Sequence, residues 1–186
     1  MAAHQQHKSS LRQHLIAQRQ AIPAALREEW DAAIGKHLHH LLERQPARFI
    51  GVFWPMRSEP DLRQLFNEWS AAGLQLALPV VIDPDCPLKF LAWAPGDPLT
   101  RDAMGVWVPA ESSKEVMPEL LLVPCVGYNR DRFRLGYGGG FYDRTLAATP
   151  RPRAIGVAYT CSRAKFAVES HDIPLDAVVT EAGIED

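Results

Sequence analysis

Hydrophobic residues recur at helical spacing in three parts of the chain, 8–21, 23–44 and 61–73. Leucine, isoleucine and tryptophan side chains return there every three or four residues, which predicts three amphipathic helices. Pro23 suits the first turn of the second helix, and Gly73 suits the C-terminal cap of the third. Each of these helices is expected to bury one face against the rest of the protein.

Short runs rich in strand-forming residues separate and follow these helices. They predict strands at 48–54, 74–82, 88–93, 119–128, 153–159 and 176–180. A short helix is predicted over 141–148, and the proline-rich stretch 79–118 is predicted to hold loops and an edge strand. Buried strands that alternate with helices favour an α/β fold in three layers, with a mostly parallel, mixed sheet and helices on both faces.

Length and composition fit one soluble domain. The chain has 186 residues, 47% of them hydrophobic, and a net charge of −2. We expect a single domain over 1–186 with a flexible segment 1–7. The slightly acidic balance argues against a nucleic-acid partner, and no apolar run predicts a membrane span or a signal peptide. Three scattered cysteines predict neither disulfides nor zinc, so we expect a reduced, cytoplasmic protein. We also expect a monomer.

One short segment, Gly136 to Gly140, holds four glycines in five residues. It follows the predicted strand 119–128 and precedes the predicted helix, which places it at the carboxyl end of a strand, where open α/β sheets bind ligands. Glycines let backbone N–H groups approach an anion closely. Four arginines and two aspartates lie between Arg130 and Arg144. This combination points to phosphate, and Asp143 beside it points to Mg²⁺.

The common nucleotide fingerprints do not match this segment. A P-loop requires GK[ST] at its end, whereas Phe141 and Tyr142 follow Gly140. The dinucleotide pattern GxGxxG also fails when it is counted from Gly136. On the glycines alone, a plain flexible turn remains an alternative.

The full segment 134–144, RLGYGGGFYDR, preceded by LLLVPCVGYN, resembles the signature of the 5-formyltetrahydrofolate cyclo-ligase family. Two further segments resemble the same family: KSSLR at 8–12 and FWPMRSEPD at 53–61. The three segments occur in the family's order, and the resemblance extends over about residues 8–182. Three segments in register are far more specific than one glycine run.

The resemblance implies an ATP- and Mg²⁺-dependent ligase that acts on a reduced folate. In that chemistry, ATP phosphorylates the formyl oxygen on N5 of 5-formyltetrahydrofolate, N10 attacks the activated carbon, and phosphate leaves. The products are 5,10-methenyltetrahydrofolate, ADP and phosphate. Phosphoryl transfer mainly requires positioning and neutralised charge, which amides, cations and Mg²⁺ supply.

The resemblance also implies site residues. Arg134 and Tyr142 would be catalytic, Asp143 and Asp172 would hold Mg²⁺, and Trp54 and Glu59 would line the folate site together with Tyr137, Gly138, Gly139, Gly140 and Phe141. The residues implied for ATP are Lys8, Ser9, Ser10, Leu11, Arg12, Arg134, Leu135, Gly136, Tyr137, Gly138, Gly139, Gly140, Phe141 and Tyr142.

The chain departs from the family pattern just before the glycine run. Cys125, Asn129 and Phe133 stand where the family commonly has Gly, Asp and Gly. These changes fall in the turn that leads into the phosphate-binding segment, so they bear on how Arg130 and Arg132 are directed.

Other functions are compatible with parts of the pattern. The glycine run could belong to a non-catalytic nucleotide- or RNA-binding α/β module, or to an enzyme like a sugar-phosphate isomerase that uses no ATP. Glu59 and Trp54 distinguish these alternatives, because a phosphate binder has no need of a stacking aromatic and a carboxylate at the end of a distant strand. Each site residue also has a purely structural alternative, such as a solvated Lys8 or a helix-start Glu59.

Overall fold

The two N-terminal stripes of hydrophobic residues form long helices in the computed structural model, which describes residues 2–103, 105–110 and 113–186. Helix α1 spans Ala2–Gln20 and helix α2 spans Ala24–Arg44. Helix α1 therefore begins earlier than the hydrophobic periodicity predicts, while the flexible segment 1–7 stays a prediction. Pro23 directly precedes α2, because its fixed φ suits a helix start and its missing N–H is not needed there.

The later elements follow the predicted alternation, with several short strands added. The helices are α3 (Arg63–Ala71) and α4 (Phe141–Leu146). The strands are β1 (Phe49–Gly51), β2 (Gln75–Val80), β3 (Lys89–Trp93), β4 (Leu99–Arg101), β5 (Trp107–Pro109), β6 (Glu115–Val116), β7 (Leu120–Pro124), β8 (Gly127–Tyr128), β9 (Arg134–Leu135), β10 (Arg153–Val157), β11 (Ala177–Thr180) and β12 (Gly183–Glu185).

Within the described residues, eight strands form one sheet in the order β12-β11-β10-β7-β1-β2-β3-β6. The five strands from β11 to β2 run parallel to one another. Strand β12 pairs antiparallel with β11, β3 pairs antiparallel with β2, and β6 pairs antiparallel with β3. The predicted mostly parallel, mixed sheet is confirmed, and the antiparallel strands lie at its two edges.

Strand β7 shows why both faces of the sheet are covered. Its side chains are apolar without interruption, and successive residues of a strand point to opposite faces. Leu120 and Leu122 join a core cluster that includes residues of α2 and α3. Leu121 and Val123 join a second cluster that contains Leu146 of α4. The predicted helices on both faces are therefore present, although α4 is short.

The prediction of one continuous strand over 119–128 is wrong. The chain leaves the sheet after Pro124 and forms a separate antiparallel pair, β8 with β9. The proline-rich stretch holds more strand than predicted: β4 pairs with β5 outside the main sheet, and β6 is the edge strand. Among the described helices, none is both long and apolar enough to span a membrane.

Candidate active site

The carboxyl ends of three neighbouring parallel strands, β7, β1 and β2, open into one cavity of about 560 Å³, hereafter the site cavity. This is the position predicted for a ligand site in an open α/β sheet. Its lining consists of Lys8, Arg12, Phe53, Trp54, Met56, Glu59, Pro79, Val81, Leu88, Asp102, Val106, Pro124, Arg134, Leu135, Gly136, Tyr137, Gly138, Gly139, Gly140, Phe141, Tyr142, Asp143, Glu169, His171 and Asp172.

The site cavity collects all of the site residues expected from the sequence except three. Ser9 and Ser10 are exposed on α1, and the Ser10 hydroxyl donates to the carbonyl oxygen of Gln6 at 3.1 Å. Leu11 packs against a small apolar cluster that includes Leu15 and Leu135. The structure therefore brings Lys8 and Arg12 of α1 to the cavity and leaves the side chains between them outside it.

The glycine loop, residues 136–140, bends sharply along one wall. Gly138 has φ +103° and Gly140 has φ +66°, conformations that side chains beyond glycine rarely adopt. At Gly139 the constraint is space, because an added Cβ would lie 2.6 Å from the Phe141 ring. Arg12 Nε donates to the carbonyl oxygen of Gly136 at 2.7 Å, so helix α1 is tied directly to the loop.

Cations and carboxylates pair across the site cavity. Lys8 Nζ lies 2.8 Å from Glu169 Oε1 and 3.6 Å from Asp172 Oδ2. Arg134 Nη2 lies 2.6 Å from Asp143 Oδ1, and its Nη1 donates to the carbonyl oxygen of Ile173. Both cationic side chains are nearly buried, so each carboxylate compensates a charge that has little contact with water.

Asp143 and Asp172 both line the site cavity, as the metal prediction requires. In the described part of the chain, no group of three or more His, Cys, Asp or Glu side chains could hold a metal ion. Mg²⁺ does not need such a group, because it is commonly bound through one or two carboxylates, substrate phosphates and water. The donor set fits Mg²⁺ that arrives with a phosphate ligand.

Glu59 belongs to a buried polar network. The Tyr137 hydroxyl donates to Glu59 Oε1 at 2.6 Å, and the backbone N–H of Met56 donates to Oε2 at 3.0 Å. Arg19 Nη2 lies 3.9 Å from the same carboxylate. Burial raises the pKa of Glu59, while the Tyr137 hydrogen bond and the Arg19 charge lower it. Burial and the Glu59 charge raise the pKa of Tyr137, so its hydroxyl stays protonated.

Trp54 lines another part of the site cavity and is half-buried. Its ring meets Trp93 edge to face, with centroids 5.9 Å apart, and the Arg63 guanidinium lies 5.4 Å from its ring centre. Met56 and Val81 line the same cavity. A flat heterocycle can therefore contact apolar and aromatic surface here while Glu59 accepts hydrogen bonds from it.

The turn before the glycine loop is intact despite its departures from the family pattern. Asn129 Oδ1 accepts hydrogen bonds from the backbone N–H groups of Asp131 and Phe133, both at 3.0 Å. An amide oxygen thus closes the turn as a carboxylate would, and Arg132 takes the positive φ of 62°. Cys125 is fully buried, and burial raises the pKa of its thiol to about 12.

Several side chains in or beneath the site were not predicted from the sequence. Arg19 lies under the site, and its position two helical turns after Arg12 was the available signal. Glu169 pairs with Lys8 from a loop with no periodicity to mark it. Asp102 and Val106, at the tip of the β4–β5 pair, reach the cavity from the proline-rich stretch, and only the tertiary fold reveals this.

Comparison with known proteins identifies the family. The sequence profile of the 5-formyltetrahydrofolate cyclo-ligase family matches residues 4–181. The chain is 31% identical to the 5-formyltetrahydrofolate cyclo-ligase of Mycolicibacterium smegmatis, with 93% of each chain covered. It is 33% identical to that of Escherichia coli strain K12, over 74% of this chain and 80% of that protein.

The fold agrees with a solved structure. The 5,10-methenyltetrahydrofolate synthetase of Aquifex aeolicus matches with a TM-score of 0.80 and 29% identity, over 96% of this chain and 91% of that one. The profile match covers almost the whole sequence and includes all three segments that carry the resemblance. The chain therefore belongs to the 5-formyltetrahydrofolate cyclo-ligase family.

Proposed function

We propose that this enzyme converts 5-formyltetrahydrofolate to 5,10-methenyltetrahydrofolate with consumption of ATP. The γ-phosphoryl group passes to the formyl oxygen, N10 of the folate attacks the activated carbon, and that oxygen leaves as phosphate. The observation that carries the proposal is that one cavity joins a phosphate-type wall, formed by the glycine loop with Lys8 and Arg12, to an aromatic and carboxylate wall, formed by Trp54 and Glu59.

The phosphate-type wall suits the triphosphate of ATP. Lys8, Arg12 and Arg134 bring positive charge from two different elements, and the glycine loop offers backbone N–H groups without side chains between them and a ligand. We assign Lys8, Arg12 and residues 134–142 to ATP, and we assign no side-chain role to Ser9, Ser10 or Leu11, because these lie outside the cavity.

The two residues proposed as catalytic lie beside the glycine loop. The Arg134 guanidinium is 5.9 Å from the centre of the Tyr142 ring, so the two side chains lie in the same part of the site. Arg134 would neutralise the charge that moves with the phosphoryl group. Burial raises the pKa of Tyr142, so its hydroxyl remains protonated and can donate a hydrogen bond to a phosphate or formyl oxygen.

Asp143 and Asp172 are proposed to hold Mg²⁺ together with the ATP phosphates. The bound ion would neutralise charge on the β- and γ-phosphate oxygens. Asp143 Oδ1 accepts from the backbone N–H of Ile173 at 3.1 Å, and Asp172 Oδ2 accepts from that of Glu169 at 2.8 Å. These bonds fix the direction of both carboxylates and link the loop that carries Asp172 to helix α4.

A turnover assay with purified protein tests the proposal. We expect the longer-wavelength absorbance of the methenyl product to grow only when 5-formyltetrahydrofolate, ATP and Mg²⁺ are all present. Product without ATP would favour an isomerase-like enzyme. Binding of ATP without any product, or nucleic acid that stays with the purified protein, would favour a non-catalytic binding module.

A further inference from the structure

Among the described residues, Arg19 is one of the largest side chains that the fold buries completely, with 1% of its surface exposed. It lies on α1, seven residues after Arg12 and therefore on the same helical face, but it lines no part of the site cavity. A buried cation is costly unless partners compensate it, so its contacts indicate what its position serves.

The Arg19 guanidinium joins three separate parts of the site. Nε donates to the carbonyl oxygen of Arg57 at 3.1 Å, and Nη1 donates to that of Cys125, at the end of β7, at 3.3 Å. Nη2 donates to the Tyr137 hydroxyl at 3.0 Å and lies 3.9 Å from Glu59 Oε1. One side chain of helix α1 thus connects the segment after β1, the end of β7 and the glycine loop.

The hydrogen-bond chemistry fixes the direction of the Tyr137 proton. A guanidinium can only donate, so the Tyr137 oxygen must accept from Arg19. The hydroxyl has one proton, and it points to Glu59 Oε1 at 2.6 Å. An ionised carboxylate has about four acceptor positions, and the bonds from Tyr137 and Met56 occupy two, so Glu59 can still accept from a ligand.

The backbone next to Glu59 is unusual. Arg57 has φ 47° and Ser58 has φ 59°, two consecutive left-handed residues that are not glycine. Such a conformation persists only where the surroundings hold it in place. The bond from Arg19 to the Arg57 carbonyl oxygen does so, and the Arg57 guanidinium lies 5.3 Å from the centre of the Tyr137 ring.

We propose that Arg19 is a positioning residue of the reduced-folate site, which holds Tyr137 and the Arg57–Ser58 backbone so that Glu59 faces the substrate as an ionised carboxylate. This rests on the proposed function, in which Glu59 accepts hydrogen bonds from the pterin. Burial opposes the ionised state, and the Arg19 charge favours it. The other groups that act electrostatically on or with Glu59 are Arg57, Cys125, Tyr137 and Tyr142.

The test compares Arg19→Gln, Arg19→Lys and the wild type for the folate KM, measured with 5-formyltetrahydrofolate as a function of pH. In Arg19→Gln we expect the folate KM to rise about tenfold or more. As the pH falls, the folate KM of this variant should also begin to increase at a higher pH than that of the wild type, because Glu59 has lost a cation that lowers its pKa. Arg19→Lys keeps the charge and should keep the pH profile closer to that of the wild type. The KM for ATP should change less than about twofold.

Arg153→Gln is the matched control. The Arg153 guanidinium also bonds oxygen atoms, those of Gln45 and Pro46, but it is away from the site cavity. Circular dichroism establishes that each variant folds. A folded Arg19→Gln with an unchanged folate KM and pH profile overturns the proposal, and so does an equal loss of folate and ATP binding, which indicates a purely structural role.

Calorimetric titration of 5-formyltetrahydrofolate into the same variants separates this proposal from the proposed function. If the wild type binds the folate but forms no product, the proposed function fails, while weaker binding to Arg19→Gln still supports the role of Arg19. If the wild type binds no folate, both proposals are overturned. If Arg19→Gln does not fold, Arg19→Lys decides, because lysine keeps the charge but lacks the planar fork that bonds three separate oxygen atoms. A folate affinity reduced while ATP affinity is retained supports the proposal. An unchanged folate affinity, or an equal loss of both affinities, overturns it.

Discussion

Glu59 is the most enclosed acidic side chain among the described residues of the site cavity, with 4% of the residue exposed. Its partners are one hydroxyl, one backbone amide and a nearby guanidinium, so it is a hydrogen-bond acceptor with little exposure to solvent. Such a group discriminates well, because a ligand that fails to donate leaves buried polar atoms unpaired.

Glu59→Gln should raise the folate KM about ten- to a hundredfold, because a charge-assisted hydrogen bond contributes about 1.5–3 kcal/mol. The KM for ATP should stay nearly unchanged. In the wild type the folate KM should also rise as the pH falls. Because burial raises the pKa of Glu59 from its ordinary value of 4.5, this rise should begin at a pH above 4.5. Initial rates with each substrate varied measure both effects. A variant that loses ATP affinity and keeps folate affinity would contradict the assignment.

Lys8 offers the complementary test on the ATP side. Lys8→Ala should raise the KM for ATP about tenfold or more and leave the folate KM unchanged, because it removes a cation next to the glycine loop. Lys89→Ala is the matched control, since Lys89 makes a 2.8 Å ion pair with Glu115 on the surface. Equal effects of the two substitutions on ATP would remove Lys8 from the ATP site.

The glycine loop permits a comparison of two glycines in one loop. An added Cβ at Gly136 meets nothing within 4 Å, whereas Gly138 has φ +103°. Gly138→Ala should lower the free energy of unfolding by about 1–3 kcal/mol, because an L-residue is strained at that φ. Gly136→Ala should change it by less than about 0.5 kcal/mol. Urea unfolding of both variants measures this difference, and equal stabilities would contradict the strained conformation.

At the scale of elements, helix α2 is anchored to the sheet by a carboxyl group. The Tyr159 hydroxyl, just after β10, donates to Asp31 Oδ1 at 2.6 Å. Burial raises the pKa of Asp31 from 3.8 to about 6. The folded protein therefore holds the carboxyl proton of Asp31 more tightly than the unfolded chain does. The stability that the protonated carboxyl contributes is present below about pH 4 and is lost as the pH rises through 6.

Asp31→Asn should remove this dependence while its amide oxygen still accepts from Tyr159. Between pH 5 and 7.5 the wild type should lose about 1 kcal/mol of unfolding free energy relative to Asp31→Asn, a difference kept small by solvent around the partly exposed carboxyl. Urea titrations at the two pH values measure it. Parallel pH profiles for the two proteins would show that Asp31 titrates normally.

The accuracy of the predicted elements follows from their physical signals. Helices α2 and α3 and strands β2 and β10 have strong periodicity or continuous apolar runs, and all were predicted at nearly the right bounds, whereas β7 was predicted at its start but not at its end. Strand β6 has two residues and β12 has three, too few for a pattern. The break after Pro124 escaped prediction because Val126 and Tyr128 are as apolar and as buried as the strand before it.

At the scale of the molecule, the sequence predicted which segments meet but not what joins them. Lys8, Arg12, Glu59 and the glycine loop were expected in one site, and the site cavity contains them all. Arg19 was overlooked because a lone arginine on an amphipathic helix is usually solvated. Its burial depends on β7, the segment after β1 and the glycine loop, which lie far from it in sequence and meet only in the folded protein.

Because the site cavity is built from distant segments, ligand binding should stabilise the whole fold. A ligand at one hundred times its Kd adds about 2.7 kcal/mol to the free energy of unfolding. For a chain of 186 residues this corresponds to a rise in Tm of about 5–10 °C. We expect MgATP and 5-formyltetrahydrofolate each to give such a rise in differential scanning fluorimetry.

In Arg12→Ala, which loses the bond from Nε to Gly136, the MgATP shift should fall by more than half while the folate shift remains. Loss of both shifts would mean that Arg12 supports the fold in general, and retention of the full MgATP shift would remove Arg12 from the ATP site.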